Sequence, residues 1–318
     1  MKSGQTKSSE RKMAVILHEK SFLPTVHTAV KNVRELGHSL EVHVTHEPGE
    51  ATVYASEAKR KKADVVVAGG GDGTVNAVLN GLLHTDDLPP PSLAVMPLGS
   101  ANDFAGGCEI PSDPYQALLL AAGGTATMVD VGKVNDRFFL NVVSCGFGAE
   151  ISASTPAPVK KVLGGSAYSL YGVLKAIKMH PFQYKMAFSE SEENGKAIIL
   201  VVANGRQTGG GYAVAPNAFL DDGLLDVVLV REFPLYDLNV VGRELSQRGQ
   251  INGRYIFSQQ LSSLSIDMTE EISITVDGEL LYEKSLDFTV LPRRLPLILP
   301  PNSPLIKQQK PLADSPGE

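Results

Sequence analysis

The 318-residue sequence is poor in cysteine, lacks tryptophan and has no long apolar run. Its two cysteines, Cys108 and Cys145, are too few for a disulfide framework and are typical of a reducing compartment. The longest apolar run covers seven residues, 197–203, whereas a membrane span needs about 20. The apolar stretch behind the polar start is also too short for a signal peptide. The sequence therefore predicts a protein without membrane-spanning helices.

Positive charge is scarce as well. The chain has 29 Lys and Arg against 35 Asp and Glu, a net charge of −6. A nucleic-acid binder is expected to carry a basic stripe, so this balance argues against nucleic acid as a partner. The length predicts about two domains. Residues 1–12 and 307–318 are polar, and we predict that they are disordered.

Short apolar runs alternate with stretches of helical periodicity in the first 130 residues. The predicted strands are residues 13–17, 39–44, 63–68 and 93–96, and the predicted helices are residues 23–36, 50–62, 74–83 and 115–122. Strands and helices in alternation are typical of a parallel sheet with crossover helices. We therefore predict an α/β domain at residues 13–133.

The second half of the chain has mostly strand patterns. The predicted strands are residues 137–144, 183–188, 197–203, 224–230, 272–276 and 286–291, with helices at 166–179 and 234–248 and turns at 193–195, 222–223 and 277–278. Turn dipeptides between short strands are typical of antiparallel pairing. This pattern predicts a β-sandwich domain at residues 134–298.

The strongest local signal is a run of glycines behind a predicted buried strand, Gly69-Gly-Gly-Asp-Gly-Thr74. Glycines let the backbone turn sharply and approach a ligand closely, and a helix start offers free amides to an anion. Thr74 would either cap the helix or bind a phosphate oxygen. A tight turn without a ligand is the alternative. Asp72 repels anions, so its presence favours a divalent cation or cationic partner nearby.

A second loop, Met96-Pro-Leu-Gly-Ser-Ala-Asn-Asp-Phe104, leaves another predicted strand. Ser100 could bind phosphate or ribose, and Asp103 adds a second carboxylate; an ordinary helix cap by Ser100 or Asn102 is the alternative. Both loops lie at the carboxyl ends of parallel strands, where open α/β sheets bind ligands. Neither a Walker-type P-loop nor the dinucleotide fingerprint occurs in the chain.

These two loops resemble the catalytic domain of diacylglycerol and sphingosine kinases, and three later motifs are similar to bacterial YegS-like lipid kinases. The later motifs are Asn204-Gly-Arg-Gln-Thr-Gly-Gly-Gly211, Pro216-Asn-Ala-Phe-Leu-Asp-Asp-Gly-Leu224 and Val276-Asp-Gly-Glu279. The resemblance implies ATP-dependent phosphorylation of a lipid hydroxyl with Mg²⁺, with phosphatidylglycerol or diacylglycerol as acceptor. It also implies an active site in the cleft between the two domains, and a segment at about 299–306 that returns to the first domain.

The resemblance further implies roles for individual residues. ATP contacts match Thr45, Gly71, Asp72, Gly73, Thr74, Val75, Asn76, Ala77 and Ser100. Glu279 matches the proton acceptor, although Asp277-Gly278-Glu279 taken alone is typical of a hairpin turn. Asp72 and Asp103 match catalytic carboxylates, and Asp130 matches a third member of an acidic network. A structural site for Mg²⁺ or Ca²⁺ matches Phe219, Asp222 and Leu224, with two of the ligands backbone carbonyls.

Two residues depart from the family pattern. Ala77 stands where the family usually has Glu, and Ser100, which keeps a hydroxyl, stands where it usually has Thr. A catalytically weak nucleotide- or lipid-binding regulator is one alternative function, which Ala77 alone supports. A small-molecule kinase of the NAD-kinase type shares the Gly-Gly-Asp-Gly loop and is the other alternative, although the second loop disfavours it. The favoured interpretation is a cytoplasmic lipid kinase that contacts the inner face of the membrane transiently. The basic, amphipathic stretch at residues 160–178 could rest on such a surface, although core packing of one face is the favoured explanation.

Overall fold

The structure is a computed structural model that describes residues 10–85, 88–146, 180–247 and 249–307. Its first part is an α/β domain. The strands are β1 (Lys12–His18), β2 (Ser39–Thr45), β3 (Val65–Gly70) and β4 (Ser92–Pro97). The helices are α1 (Pro24–Glu35), α2 (Glu50–Arg60), α3 (Asp72–Leu83), α4 (Asp103–Gly107) and α5 (Pro114–Gly123). The four strands are parallel in the order β2-β1-β3-β4, as the alternating pattern predicts.

Two helical layers cover this parallel sheet. Val30 of α1 and Leu118 of α5 pack on one face, in a core shared with Val15. Ala55 of α2 and Leu79 of α3 pack on the other face. The strands are buried on both faces because crossover helices lie on each side. Their apolar residues consequently form continuous runs rather than an alternating pattern.

The second part is built from antiparallel strands. These are β5 (Ala126–Val134), β6 (Arg137–Phe139), β7 (Val142–Cys145), β8 (Phe182–Phe188), β9 (Ser191–Ala203), β10 (Gln207–Thr208), β11 (Tyr212–Ala213), β12 (Leu225–Arg231), β13 (Ile251–Asn252), β14 (Ile256–Leu261), β15 (Ser263–Val276) and β16 (Glu279–Ile298). Within residues 180–247 and 249–307, an α-helix, α6 (Leu238–Leu245), packs beside them. Phe139 and Phe288 meet edge to face in the sandwich core, with ring centroids 6.4 Å apart.

The 20-residue strand β16 joins the two parts. It pairs with β15 and β5 in the sandwich, and its end pairs in parallel with β4 at Leu297 and Leu93. A register shift between Leu291 and Leu295 bends the strand at this crossing. Beyond it, Leu299 and Leu305 lie in the core between the sheet and helices α2 and α3. The hydrogen-bonded sheet therefore runs without a break from one domain into the other.

Several local predictions are wrong. The Asn-Gly pair at residues 193–195 lies inside β9 opposite β8, and the turn falls at residues 189–190. The strand predicted at residues 137–144 is broken into β6 and β7. The helix predicted at 234–248 begins as a 3-10 turn, Leu235–Asp237, before α6. The helix predicted at 166–179 and the basic stretch at 160–178 lie outside the described residues.

Three residues of the polar ends that are predicted to be disordered make contacts in the structure. Lys12 is the first residue of β1, and the Arg11 guanidinium donates to the carbonyls of Ala121 and Gly124 at 2.8 and 2.7 Å. Lys307 is held by Asp221, whose carboxylate accepts its backbone amide at 2.9 Å. The predicted disorder is therefore wrong for these three residues, because each of them has fixed partners. Residues 1–9 and 308–318 lie outside the described part of the chain.

Candidate active site

The two glycine loops come from the neighbouring strands β3 and β4 and touch each other. A side chain on Gly99 would put its Cβ 2.4 Å from Gly71 Cα, which is closer than real carbon contacts. A Cβ on Gly70 would lie 2.3 Å from the Thr74 hydroxyl oxygen. Only glycine fits at these two positions, so the close approach of the loops requires this composition.

Asp72 connects the two loops through its carboxylate. Its oxygens accept the backbone amides of Asp103 and Phe104, both at 3.0 Å. These amides belong to the first turn of α4, where helices leave donors without partners. Asp72 on α3 therefore caps the next helix and fixes the second loop against the first. A carboxylate has about four lone-pair sites, so the two amides take only part of the acceptor capacity of Asp72.

Asp103 extends this connection into the sandwich domain. Its buried carboxylate accepts the amides of Gly210, at 2.9 Å, and Gly211, at 2.5 Å. Burial raises the pKa of Asp103, the two glycine amides oppose that shift, and the charge of Asp72 adds to it. Gly210 and Gly211 have φ of +89° and +96°, a left-handed conformation that glycine adopts without strain. Asp103 thus connects the second loop to the glycine segment of the second domain.

The predicted ATP contacts differ in exposure. Gly73 in the first turn of α3 and Ser100 in the second loop are exposed, whereas Thr45, Val75 and Asn76 are buried. The other four, Gly71, Asp72, Thr74 and Ala77, are half-buried. The Val75 side chain is part of the core. The Asn76 amide is used internally, because it donates to the Phe138 carbonyl at 2.9 Å and to Asp277 at 3.0 Å. The exposed atoms at this edge of the sheet are therefore those of the loops and the start of α3.

Ala77, where the family pattern has a carboxylate, faces the packing between α2 and α3. Its carbonyl accepts the Thr52 hydroxyl at 3.0 Å, and its side chain packs against the core. A turn further on, a Cβ on Gly81 would lie 2.3 Å from the Thr52 carbonyl oxygen. Small residues at positions 77 and 81 thus let the two helices approach closely.

Glu279 lies at the tip of the β15–β16 hairpin. Asp277 and Gly278 form its two-residue turn, with φ of +47° and +89°, and Val276 pairs with Glu279 across it. The Glu279 carboxylate is half-exposed and contacts the Arg137 guanidinium at 3.1 Å. Residues 277–279 are therefore a hairpin turn, and this turn places a carboxylate at the surface beside β6.

The predicted metal position is already neutralised by a side chain. One oxygen of Asp222 accepts the Leu224 amide at 3.1 Å, and the other contacts the Lys307 ammonium at 3.2 Å. That ammonium also lies 5.2 Å from the centre of the Phe219 ring. In this arrangement the residues do not fit a divalent cation. Within residues 10–85, 88–146, 180–247 and 249–307, no cluster of three His, Cys, Asp or Glu side chains has metal-site geometry.

The Asp130 carboxylate contacts the segment beside Asp222. It is buried and accepts the amides of Gly223 and Arg293 at 2.6 and 2.8 Å. Its charge adds to the burial that raises the pKa of Asp222. Of the three predicted network residues, Asp72 accepts the backbone amide of Asp103, whereas the Asp130 carboxylate accepts the amides of Gly223 and Arg293.

Sequence reasoning missed three side chains that organise this region. Asp277 is assigned only to a turn, Asn80 lies in an ordinary helical pattern, and Arg137 begins a predicted strand. Asn80 nevertheless accepts the Phe138 amide and donates to its carbonyl, both at 3.0 Å. No local motif marks such residues, because their partners are 58 positions away or more.

Comparison with known proteins decides the family. Residues 12–134 match the diacylglycerol kinase catalytic domain, and residues 141–299 match the YegS C-terminal NAD kinase beta sandwich-like domain. A protein of Chromohalobacter salexigens named "Probable lipid kinase YegS-like" is 41% identical over 93% of this chain and 95% of its own length. The chain belongs to the YegS-like lipid kinases. A relative of the same name from Shewanella frigidimarina is 35% identical over 89% of this chain and 92% of its own length.

The fold of this lipid kinase also matches a solved structure. A chain from Bacillus anthracis str. Sterne, described as a "putative diacylglycerol kinase", superposes with a TM-score of 0.76 at 27% identity. The match covers 92% of this chain and 98% of the other. The predicted α/β domain with a following β-sandwich is thereby confirmed. Kinases of this family use ATP with a divalent metal. No helix in the part of the chain that the structure describes is long and apolar enough to cross a membrane.

Proposed function

We propose that this lipid kinase transfers the γ-phosphate of ATP to a hydroxyl of a membrane glycerolipid, phosphatidylglycerol or diacylglycerol. The single observation that carries the proposal is how α3 and Glu279 meet. Helix α3 begins at the glycine loop and binds Phe138 through Asn76 and Asn80. The neighbouring residue of β6, Arg137, contacts Glu279. Helix α3 and the exposed Glu279 carboxylate thus contact neighbouring residues of one short strand, β6.

The chain's own residues have separate tasks in this proposal. The amides at the start of α3 and the touching glycine loops bind the phosphates of ATP. Mg²⁺ that enters with ATP supplies charge neutralisation when it is bound. Asp72 and Asp103 keep the loops and the glycine segment at 209–211 in place. Glu279 accepts the proton of the lipid hydroxyl, directly or through one water.

The lipid reaches the cleft by peripheral contact in this proposal, at the inner face of the membrane. A glycerolipid presents its hydroxyl at the membrane surface, so the enzyme needs an open cleft rather than a spanning segment. The half-exposed position of Glu279 supports this arrangement, since an acceptor hydroxyl can approach it from solvent.

A labelled-ATP assay tests the proposal. The purified protein is incubated with ATP and Mg²⁺ and, separately, with phosphatidylglycerol, diacylglycerol, sphingosine or NAD. Label in one of the two glycerolipids supports the proposal, and label in NAD assigns the NAD-kinase alternative. ATP binding without label in any acceptor assigns the regulator. Glu279→Gln should lower kcat by about 10²–10⁴-fold while ATP affinity stays within about threefold, a change below 1 kcal/mol.

Two matched glycine variants test the nucleotide site without relying on turnover. A Cβ at Gly73 in α3 or at Gly123 in α5 meets no atom within 4 Å, and alanine should stabilise either helix by about 0.5–1 kcal/mol. Gly73→Ala should nevertheless weaken ATP binding, because the methyl group covers the proposed phosphate position. Gly123→Ala should leave it unchanged. If both variants bound ATP with equal affinity, the phosphates of ATP would not lie at the start of α3.

A further inference from the structure

Asp277 is a buried carboxylate whose hydrogen bonds connect helix α3 to the segment between β6 and β7. One oxygen accepts the Asn141 and Val142 amides, each at 2.9 Å. The other accepts the Leu140 amide at 2.9 Å and the Asn76 side-chain amide at 3.0 Å. Its exposed fraction is 5%. Four donors from two separate parts of the chain thus converge on one side chain.

The three backbone donors explain why the strand predicted at residues 137–144 is broken. A regular strand would direct its amides alternately to its neighbours in the sheet. Here the amides of three successive residues, 140–142, turn toward Asp277. The strand is therefore interrupted between β6 and β7, where these amides donate to the Asp277 carboxylate.

The fourth donor connects the carboxylate to the nucleotide side. Asn76 lies on α3, about one turn after the glycine loop, and its side chain is buried. On the other side, Asp277 is the first residue of the two-residue turn that ends at Glu279. Its φ of +47° is unusual for a residue with a side chain, so the fixed carboxylate helps to hold the turn in this conformation.

We propose that Asp277 is a positioning residue that sets the place of Glu279 relative to the phosphate loop. This inference rests on the proposed function, in which Glu279 accepts the acceptor proton. Asp277 touches neither reactant; its carboxylate holds α3 and the hairpin turn at a fixed separation. A misplacement of about 1 Å at a reacting group can cost about 10²-fold in rate, so losing this connection should lower turnover more than ATP binding.

A double-mutant cycle tests the proposal, with Asp277→Asn and Glu279→Gln made separately and together. The amide of Asn directs N–H groups at donors, so it cannot accept all four hydrogen bonds. We expect Asp277→Asn alone to lower kcat on the lipid acceptor by about 10–100-fold, with ATP affinity within about threefold. In the Glu279→Gln background we expect Asp277→Asn to lower kcat by a further factor of less than about three, because the carboxylate that Asp277 positions is already absent.

The outcomes separate the proposal from a general structural role. A loss of folded protein lowers kcat by the same factor in both backgrounds, so equal factors would overturn the proposal. Normal turnover in Glu279→Gln would overturn the proposed base, and the positioning role with it. If Glu279→Gln alone lowers kcat strongly and Asp277→Asn lowers it by the same factor in both backgrounds, only the positioning role of Asp277 is overturned.

A second variant covers the case in which Asp277→Asn does not fold. Asn76→Ala removes one of the four hydrogen bonds and leaves the backbone donors in place. It should lower kcat by about 3–10-fold, again only while Glu279 is present. Asn252→Ala is the matched control, since the Asn252 side chain accepts a hydrogen bond from Arg231 at 2.9 Å and has none to Asn76 or Asp277. An equal kcat loss in both single variants would contradict the role of Asp277.

Discussion

Asp277 and Glu279 lie two residues apart in one turn, and their carboxylates have opposite surroundings. Asp277 is buried and accepts four hydrogen bonds, three of them from backbone amides. Glu279 is half-exposed and contacts the end of another half-exposed side chain, Arg137. Backbone amides fix a carboxylate in place, whereas a partner on a long side chain leaves it accessible. The first arrangement suits holding the structure and the second suits proton transfer.

The other carboxylates of the site can be sorted in the same way. Asp72 and Asp103 accept backbone amides and resemble Asp277. Asp222 is paired with the side chain of Lys307, as Glu279 is with Arg137, but its own side chain is only 3% exposed. The comparison therefore predicts that a substitution lowers activity strongly where backbone amides lose their carboxylate acceptor. It predicts a small effect on activity where a substitution removes only one side-chain partner of a carboxylate.

The largest effect is expected for Asp72→Asn. The two amides at the start of α4 would face an N–H group in place of one oxygen, so the second loop should shift. We expect kcat/KM to fall by about 10²-fold or more, with the fold retained by circular dichroism. Asp113→Asn is the matched control, since Asp113 caps α5 by accepting the Gln116 amide at 2.9 Å. Asn caps helices as well as Asp, so this variant should keep its activity.

A stability effect follows for Asp277. Burial raises its pKa to about 6, above the value of about 3.9 in an unfolded chain. Between these values the folded protein holds a proton that the unfolded chain has released, so the proton stabilises the fold at low pH. That stabilisation, about 2–3 kcal/mol at one pKa unit per 1.36 kcal/mol, is lost as the pH rises through 6.

Thermal melts between pH 4 and 7 measure this effect. Asp277→Asn has no proton to release, so the advantage of the wild type over this variant should shrink as the pH rises. Glu279→Gln should keep the wild-type slope. Parallel curves for the wild type and Asp277→Asn would show that the carboxylate is ionised throughout.

A smaller effect is expected at the base of the sandwich. Asp222→Ala removes the partner of the Leu224 amide and of Lys307, and should lower stability by about 1–3 kcal/mol with little change in ATP affinity. Because Lys307 neutralises Asp222, the wild type should melt at the same temperature with Mg²⁺, Ca²⁺ or EDTA. If Mg²⁺ or Ca²⁺ raised the melting temperature of the wild type but not that of Asp222→Ala, the metal site that the family resemblance implies would be established.

The smallest effect is expected for Arg137→Gln. Exposed ion pairs contribute about 0–1 kcal/mol, and the Arg137 and Glu279 side chains are 47% and 51% exposed. Melting temperature should stay within about 2 °C, and kcat should change by less than about threefold. A loss as large as that of Glu279→Gln would mean that Arg137 itself binds a substrate.

The sequence patterns predict the α/β domain well because its signals are local. Buried strands and helical periodicity place β1 to β4 and their helices within a few residues of the observed bounds. The two glycine loops are found for the same reason. Asp277 is missed because its role depends on Asn76, 201 positions away. The Asn-Gly turn at residues 193–195 is misplaced because pairing between β8 and β9 outweighs the local preference of the dipeptide.

The strand β16 has a consequence for how the protein is made. During synthesis the first four strands leave the ribosome long before residues 279–298, so the edge of β4 that pairs with Leu297 stays open until those residues have been made. Open strand edges invite pairing with other chains, and contacts between distant segments form slowly. The nucleotide domain thus acquires its last strand only after the sandwich has been made, so shortened nascent chains should aggregate rather than accumulate as a folded first domain.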